Sequence, residues 1–196
     1  MINATDSKGT FYILNKKDRT PIIFIHGVGL DHSIWDPQIN EFDNTVLIYD
    51  ILGHGKTPLN KNDLSFDDFS NQILNLMDEL KFNKVHLVGF SIGSLIARNF
   101  ATRFNDRLAS LTLLCSIFNR SDKEQKIVND RFEQTKKDHK LTKDALKRWF
   151  TEDFLNKNPD ISDKIFNILQ NSNMNNFIKI YSLFVKHQDN EKFENI

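Results

Sequence analysis

Apolar residues follow two patterns along this chain. Up to about Ser121, short unbroken apolar runs alternate with segments of helical spacing; beyond it only helical spacing remains. Pro21–Ile25, Val46–Tyr49 and Val85–Val88 are short runs of the kind expected for strands buried on both faces. Phe11–Leu14 reads as a shorter strand closed by Asn15-Lys16-Lys17-Asp18, and Leu108–Cys115 as a fifth strand. Between them, Ser33–Phe42 reads as helix-like. Phe66, Phe69, Ile73, Leu76, Met77 and Leu80 place an amphipathic helix over Ser65–Leu80. Ser65 is its cap, and Asp67 and Asp68 sit in the first turn, where the helix dipole favours negative charge. Ile92–Phe104 is a further helix. This alternation predicts an α/β protein with a doubly wound, mostly parallel sheet, right-handed crossovers and helices on both faces.

From Ser121 the pattern predicts four helices: Asp122–Lys140, Thr142–Leu155, Asp160–Gln170 and Asn176–Lys186, with Pro159 separating the second from the third. The expected organisation is therefore a core over residues 1–120 and a helical segment over 121–196.

The chain of 196 residues has only seven glycines. Six fall in three loops, each directly after an expected strand: Gly27 and Gly29, Gly53 and Gly55, Gly89 and Gly93. In a parallel sheet that is the edge where ligands bind. Gly89-Phe90-Ser91-Ile92-Gly93 has the form G-x-S-x-G, with a strand before it and a helix after it. That setting suits a nucleophile elbow, whose turn lifts the serine hydroxyl clear of the sheet. The amides of Val28 and Ile92 lie on neighbouring glycine turns, placed to stabilise an oxyanion. His26 reads as a structural residue tying loops together.

Charge narrows the function classes. Lys plus Arg and Asp plus Glu are 26 each, so the formal net charge is zero, with no basic or acidic tail. Neither nucleic acid nor a membrane surface is an expected partner. No apolar stretch approaches a membrane span, and Met1–Thr10 lacks the form of a signal peptide, so a cytoplasmic location is the expectation. Cys115 is the only cysteine. It excludes an internal disulfide and cysteine-based metal clusters, and reads as a small buried hydrophobe at a strand end. Neither phosphate-binding glycine motif is present, which disfavours nucleotide binding. No metal or cofactor is expected.

Three stretches together carry a family resemblance: Ile25-His26-Gly27-Val28-Gly29-Leu30-Asp31-His32-Ser33-Ile34-Trp35, Tyr49-Asp50-Ile51-Leu52-Gly53-His54-Gly55-Lys56-Thr57, and Val88-Gly89-Phe90-Ser91-Ile92-Gly93. The chain resembles the α/β-hydrolase fold, in particular small serine hydrolases similar to 3-oxoadipate enol-lactonase, the cofactor-free haloperoxidases and related esterases. The resemblance implies that Ser91 is the nucleophile, that the amides of Val28 and Ile92 form the oxyanion hole, and that residues 121–196 are a cap over the site. It implies a small-molecule ester or lactone as substrate. Asp50 and His54 fall where the family has a structural turn.

A serine nucleophile needs a base and the base needs an acid, which in this fold follow the serine in the order acid, histidine. After Ser91 the chain offers only His139 and His187, both read as solvated surface residues, and Asp122 as the nearest acid. The expectation is an incomplete α/β-hydrolase sheet lacking its C-terminal strands and inactive by itself. A longer record or a second chain would then supply those strands. The alternatives are a non-catalytic remnant or small-molecule-binding module, and a cofactor-free lyase or peroxidase on the same fold. Without a neighbour, Leu108–Cys115 becomes an apolar sheet edge prone to aggregation.

Overall fold

The structure, a computed structural model, describes residues 1–139 and 143–189. Six strands make one sheet: β1 (Ile2–Thr5), β2 (Phe11–Asn15), β3 (Arg19–Ile25), β4 (Asn44–Tyr49), β5 (Val85–Phe90) and β6 (Leu108–Leu114). Their order is β1-β2-β4-β3-β5-β6. β3, β4, β5 and β6 pair in parallel, whereas β1 and β2 join antiparallel at one side. β1 was not apparent in the sequence because its four residues carry no alternation and remain half or fully exposed.

Two helices, α1 (Phe66–Glu79) and α2 (Ile92–Arg103), pack together on one face. Their Phe69, Ile73, Met77, Ile96 and Phe100 meet Ile23, Ile25, Leu47 and Leu87 in the main core. On the other face Ile22, Phe24, Val46 and Ile48 pack with Trp35 and Ile39. Alternate residues of β3 and β4 thus enter two cores, which is why these strands read as continuous apolar runs. α1 begins at a capping box between Ser65 and Asp68.

Several expectations need correction. Ser33–Phe42 is not a helix: a 3₁₀ turn, His32–Trp35, capped by Asp31, gives way to irregular turns. Pro37 has no N–H to continue a helical ladder. Among the described residues the second sheet face is therefore covered by this turn rather than by a helix. The second helix expected beyond Ser121 is split into a 3₁₀ turn, Lys143–Arg148, and α4 (Glu152–Lys157), because Thr151 caps the latter. The other three are α3 (Asp122–Asp138), α5 (Pro159–Asn171) and α6 (Met174–Lys186). Lys140 and Thr142 lie outside the described residues. Pro159 starts α5 rather than merely preceding it, as its missing N–H costs nothing in a first turn.

Cys115 is exposed, not buried. Among the described residues β6 is the last strand of the sheet and has no further neighbour to cover it, and most of its residues are exposed. His187 is the opposite case. It is buried edge-on to Phe66, at 5.4 Å, rather than solvated. The segment after α6 is drawn inward by Asp189, which meets the buried Arg98 of α2 at 2.5 Å and accepts the Asn119 N–H at 2.7 Å. No helix among the described residues is long and apolar enough to cross a membrane.

Candidate active site

β3 and β5 are adjacent and parallel, with Ile25 opposite Gly89, while the chain continues to β4 on one side and β6 on the other. The loops that leave β3 and β5 therefore emerge side by side at the switch point of the sheet, where α/β proteins bind ligands.

Ser91 joins β5 to α2 with φ 55° and ψ −121°. A non-glycine residue at positive φ is strained by roughly 1–3 kcal/mol and persists only when its surroundings impose it. They do so here. The Ser91 N–H donates to the Leu114 carbonyl at 3.0 Å, and the Ser91 carbonyl accepts from the Ser94 N–H at 2.9 Å and the Ser94 hydroxyl at 2.5 Å. The flanking glycines make the turn possible. A Cβ on Gly93 would lie 2.7 Å from the carbonyl oxygens of both Ile25 and His26, and one on Gly89 would run into the Gly93 backbone. Gly27 lies against the elbow: a Cβ there would be 3.3 Å from Ser91 Cβ.

The four residues His26-Gly27-Val28-Gly29 are fixed by two histidines. His26 Nε2 accepts the Ile51 N–H at 3.1 Å, so its proton resides on Nδ1, which donates to the Gly27 carbonyl at 2.8 Å. His54 Nε2 accepts the Gly29 N–H at 2.9 Å, and its Nδ1 donates to the Leu52 carbonyl at 3.2 Å. Burial keeps both neutral, lowering His26 and pushing His54 down to about 3. With both nitrogens engaged, each ring ties loops together. Asp50 completes this layer. It accepts from the His32 N–H at 2.8 Å, His32 Nδ1 at 2.7 Å and the Lys56 N–H at 2.8 Å. Burial alone would raise Asp50, but the bond from His32 and the other donors outweigh it and hold it below the usual range. His32 is raised in turn: burial opposes the charge and the Asp50 carboxylate overcomes it. Asp31, His32 and Asp50 lie close enough to resemble a metal site. Both Asp50 oxygens are already occupied by donors, so the group is explained without an ion.

The structure brings Ser91, Val28, Ile92 and the glycines Gly27, Gly29, Gly89 and Gly93 to one end of the sheet. Ile92 is the first residue of α2, so its N–H has no acceptor within the helix. Val28 and Ser91 open on a cavity of about 120 Å³. Leu169 of α5 and Phe177 and Phe184 of α6 form its apolar wall. Arg131 and Thr135 of α3, together with Arg148, supply its polar rim. Phe177 reaches the loop itself: a Cβ on Gly29, at φ +76°, would lie 2.7 Å from the Phe177 ring. Sequence reasoning missed this lining. Arg131 and Arg148 were lost among the many charges of their helices, although the Phe177, Tyr181 and Phe184 spacing on α6 marked an apolar face.

The expected acid and histidine candidates are not brought to Ser91. Asp122 and His187 line a different cavity, with Arg120 and Asp189. His139 is the exposed left-handed cap of α3. Among the described residues Ser91 Oγ has no hydrogen-bond partner.

A family model for the α/β hydrolase fold matches residues 20–176, which span the elbow, the glycine loops and most of the helical segment. The chain belongs to the α/β hydrolase fold family. It is 27% identical over 179 residues to (E)-2-((N-methylformamido)methylene)succinate hydrolase of Acinetobacter baylyi, covering 90% of this chain and 67% of that protein. It is 23% identical to 3-oxoadipate enol-lactonase 2 of the same organism, covering 84% of this chain and 62% of that one. The chain thus spans about two thirds of the length of these relatives. The enol-lactonase of Burkholderia xenovorans superposes with a TM-score of 0.77 at 22% identity, over 94% of this chain and 74% of that one. An esterase from Exiguobacterium antarcticum superposes with a TM-score of 0.74 at 17% identity, over 90% of this chain and 69% of that one.

Proposed function

We propose that this chain carries the nucleophile of a serine hydrolase acting on carboxylic esters or lactones. The observation that carries this reading is the strained backbone of Ser91, held at positive φ between two glycines that tolerate no Cβ, with the residue opening on a cavity. In the reaction, Ser91 Oγ attacks the carbonyl carbon and loses its proton to a general base. The carbonyl electron pair moves onto oxygen, which takes hydrogen bonds from the amides of Val28 and Ile92 and gains from the α2 N-terminus. Collapse expels the alcohol, protonated by the base, and water then releases the acid and restores Ser91. Residues 121–196 serve as a cap that shapes the substrate cavity.

The base and its orienting acid are assigned to strand–Asp and strand–His segments placed against the open side of β6, on a longer chain or a second polypeptide. Support comes from the unpaired edge of β6 and from a Ser91 hydroxyl without a partner among the described residues. The same two observations favour the second reading, a module that binds a small molecule without turning it over.

Activated-ester kinetics test both. With p-nitrophenyl acetate, the 196-residue chain should release product no faster than its Ser91→Ala variant. Supplied with strand–Asp and strand–His segments, fused after Ile196 or added as a separate chain, it should give a burst near one equivalent that Ser91→Ala abolishes. No burst from the completed protein would sink the hydrolase reading in favour of the binding module. A Ser91-dependent burst from the 196 residues alone would sink the incompleteness.

A further inference from the structure

The charges around the Ser91 cavity are one-sided. In a chain with as many acidic as basic residues, the lining formed by the described residues contains two arginines, Arg131 and Arg148, and no aspartate or glutamate. Arg131 lies on α3 one turn before Thr135, so the two project from the same side of that helix into the same cavity. Other charged residues of α3 are paired along it: Lys126 with Asp130, and Lys136 with Glu133. The Arg131 guanidinium has no hydrogen-bond or ion-pair partner among the described residues. Its backbone carbonyl is used, accepting from the Thr135 hydroxyl at 2.9 Å, so the helix fixes the residue while its head group stays unspent. Opposite stands an apolar wall and the nucleophile. An arginine is a planar fork that matches a carboxylate through two parallel hydrogen bonds.

We propose that the cavity takes an anionic substrate: an ester or lactone that carries a free carboxylate, held by Arg131 while the scissile carbonyl lies at Ser91. This rests on the hydrolase reading for the word substrate, but the selection of charge stands on Arg131 alone. The volume of about 120 Å³ lies below the usual range for drug-sized ligands, so a short chain between carboxylate and carbonyl fits best. Because Arg131 is exposed at the rim, the attraction is screened by salt and serves chiefly to orient.

Binding to the Ser91→Ala variant separates this proposal from the chemistry, since no step there depends on the nucleophile. Monomethyl glutarate, which keeps one carboxylate, and dimethyl glutarate, which has none, are titrated by ligand-observed NMR. The monoester should bind roughly two- to fivefold more tightly than the diester, as expected for an exposed ion pair. The preference should weaken with added salt. In Arg131→Gln it should disappear while the diester is unaffected, and Arg131→Lys should restore part of it. Equal affinity for the two esters, or a preference that survives Arg131→Gln, would overturn the proposal. If the preference is found but the completed protein never hydrolyses an ester, the hydrolase reading falls and the anion site stands.

Discussion

β3 and β6 both run parallel to β5 and hydrogen-bond to it, yet the two sides of that strand are built differently. On the β3 side, Ile23, Ile25, Leu87 and the neighbouring Leu47 are fully buried, and the histidines tie down the loop that faces Ser91. On the β6 side, Leu113 and Leu114 are 37% and 39% exposed, Phe118 is 71% exposed, and Cys115 faces solvent. What fixes this side is polar. Arg98 donates to the Ile117 carbonyl at 2.6 Å and to Asp189, whose other oxygen accepts from Asn119. One side of the elbow is held by packing. On the other, polar contacts join the exit of β6 to the exit of α6, namely the Arg98–Asp189 ion pair and Arg120, which donates to the Phe184 and Val185 carbonyls. Packing is insensitive to pH and salt, whereas a buried pair fails as a unit when either partner is lost.

The largest effect should come from breaking that pair. Arg98→Met takes the guanidinium from Asp189, leaving it only the Asn119 N–H and His187 at 3.5 Å, and should cost about 3 kcal/mol in urea denaturation; an unchanged midpoint would show that packing holds both sides. The pH dependence has a definite sign. Burial would raise Asp189, but Arg98 and the Asn119 N–H outweigh it and lower its pKa in the folded state. Its contribution is therefore complete above the unfolded value of about 3.9 and is lost as pH falls through the lower folded value. The wild type should lose this increment in acid, and Asp189→Asn should lack it at all pH values.

The packed side is broken through its glycines. Gly93→Ala and Gly89→Ala force backbone to move and should cost about 1–3 kcal/mol or more, whereas Gly27→Ala meets only the Phe90 ring and Ser91 Cβ at 3.3 Å and should cost less. Thermal melts of the three variants check the ranking, and equal losses would contradict it. The smallest effect on stability belongs to the open edge. Leu113→Lys with Leu114→Lys should change stability by less than about 0.5 kcal/mol. The same pair should lower light scattering at high protein concentration, because charges on an edge strand oppose strand pairing. Unaltered scattering would mean that the edge is not where chains associate.

The sequence made the packed side legible and the open side less so, for physical reasons. Unbroken apolar runs reveal strands covered on both faces, and a glycine-poor chain makes its glycine loops conspicuous, so β3, β4, β5 and the elbow could be read directly. The helices of residues 121–196 were readable by their spacing, but not what their polar residues do. Arg131 looks like any other charge on α3, and its place in the cavity depends on how that helix lies over the sheet. Cys115 was misread because Leu111–Cys115 is as apolar as a buried strand; apolarity does not tell a covered strand from one whose neighbour is absent among the described residues. His187 was misread because its burial depends on Asp189 finding Arg98, a contact between residues 91 positions apart.

The hydrogen bond from the Ser91 N–H to the Leu114 carbonyl ties the nucleophile's own backbone to the sparsely covered strand β6. Exchange of that one amide with solvent therefore clocks the opening of β6, and a protein or segment that settles on this edge should slow the clock at Ser91 without touching the serine itself.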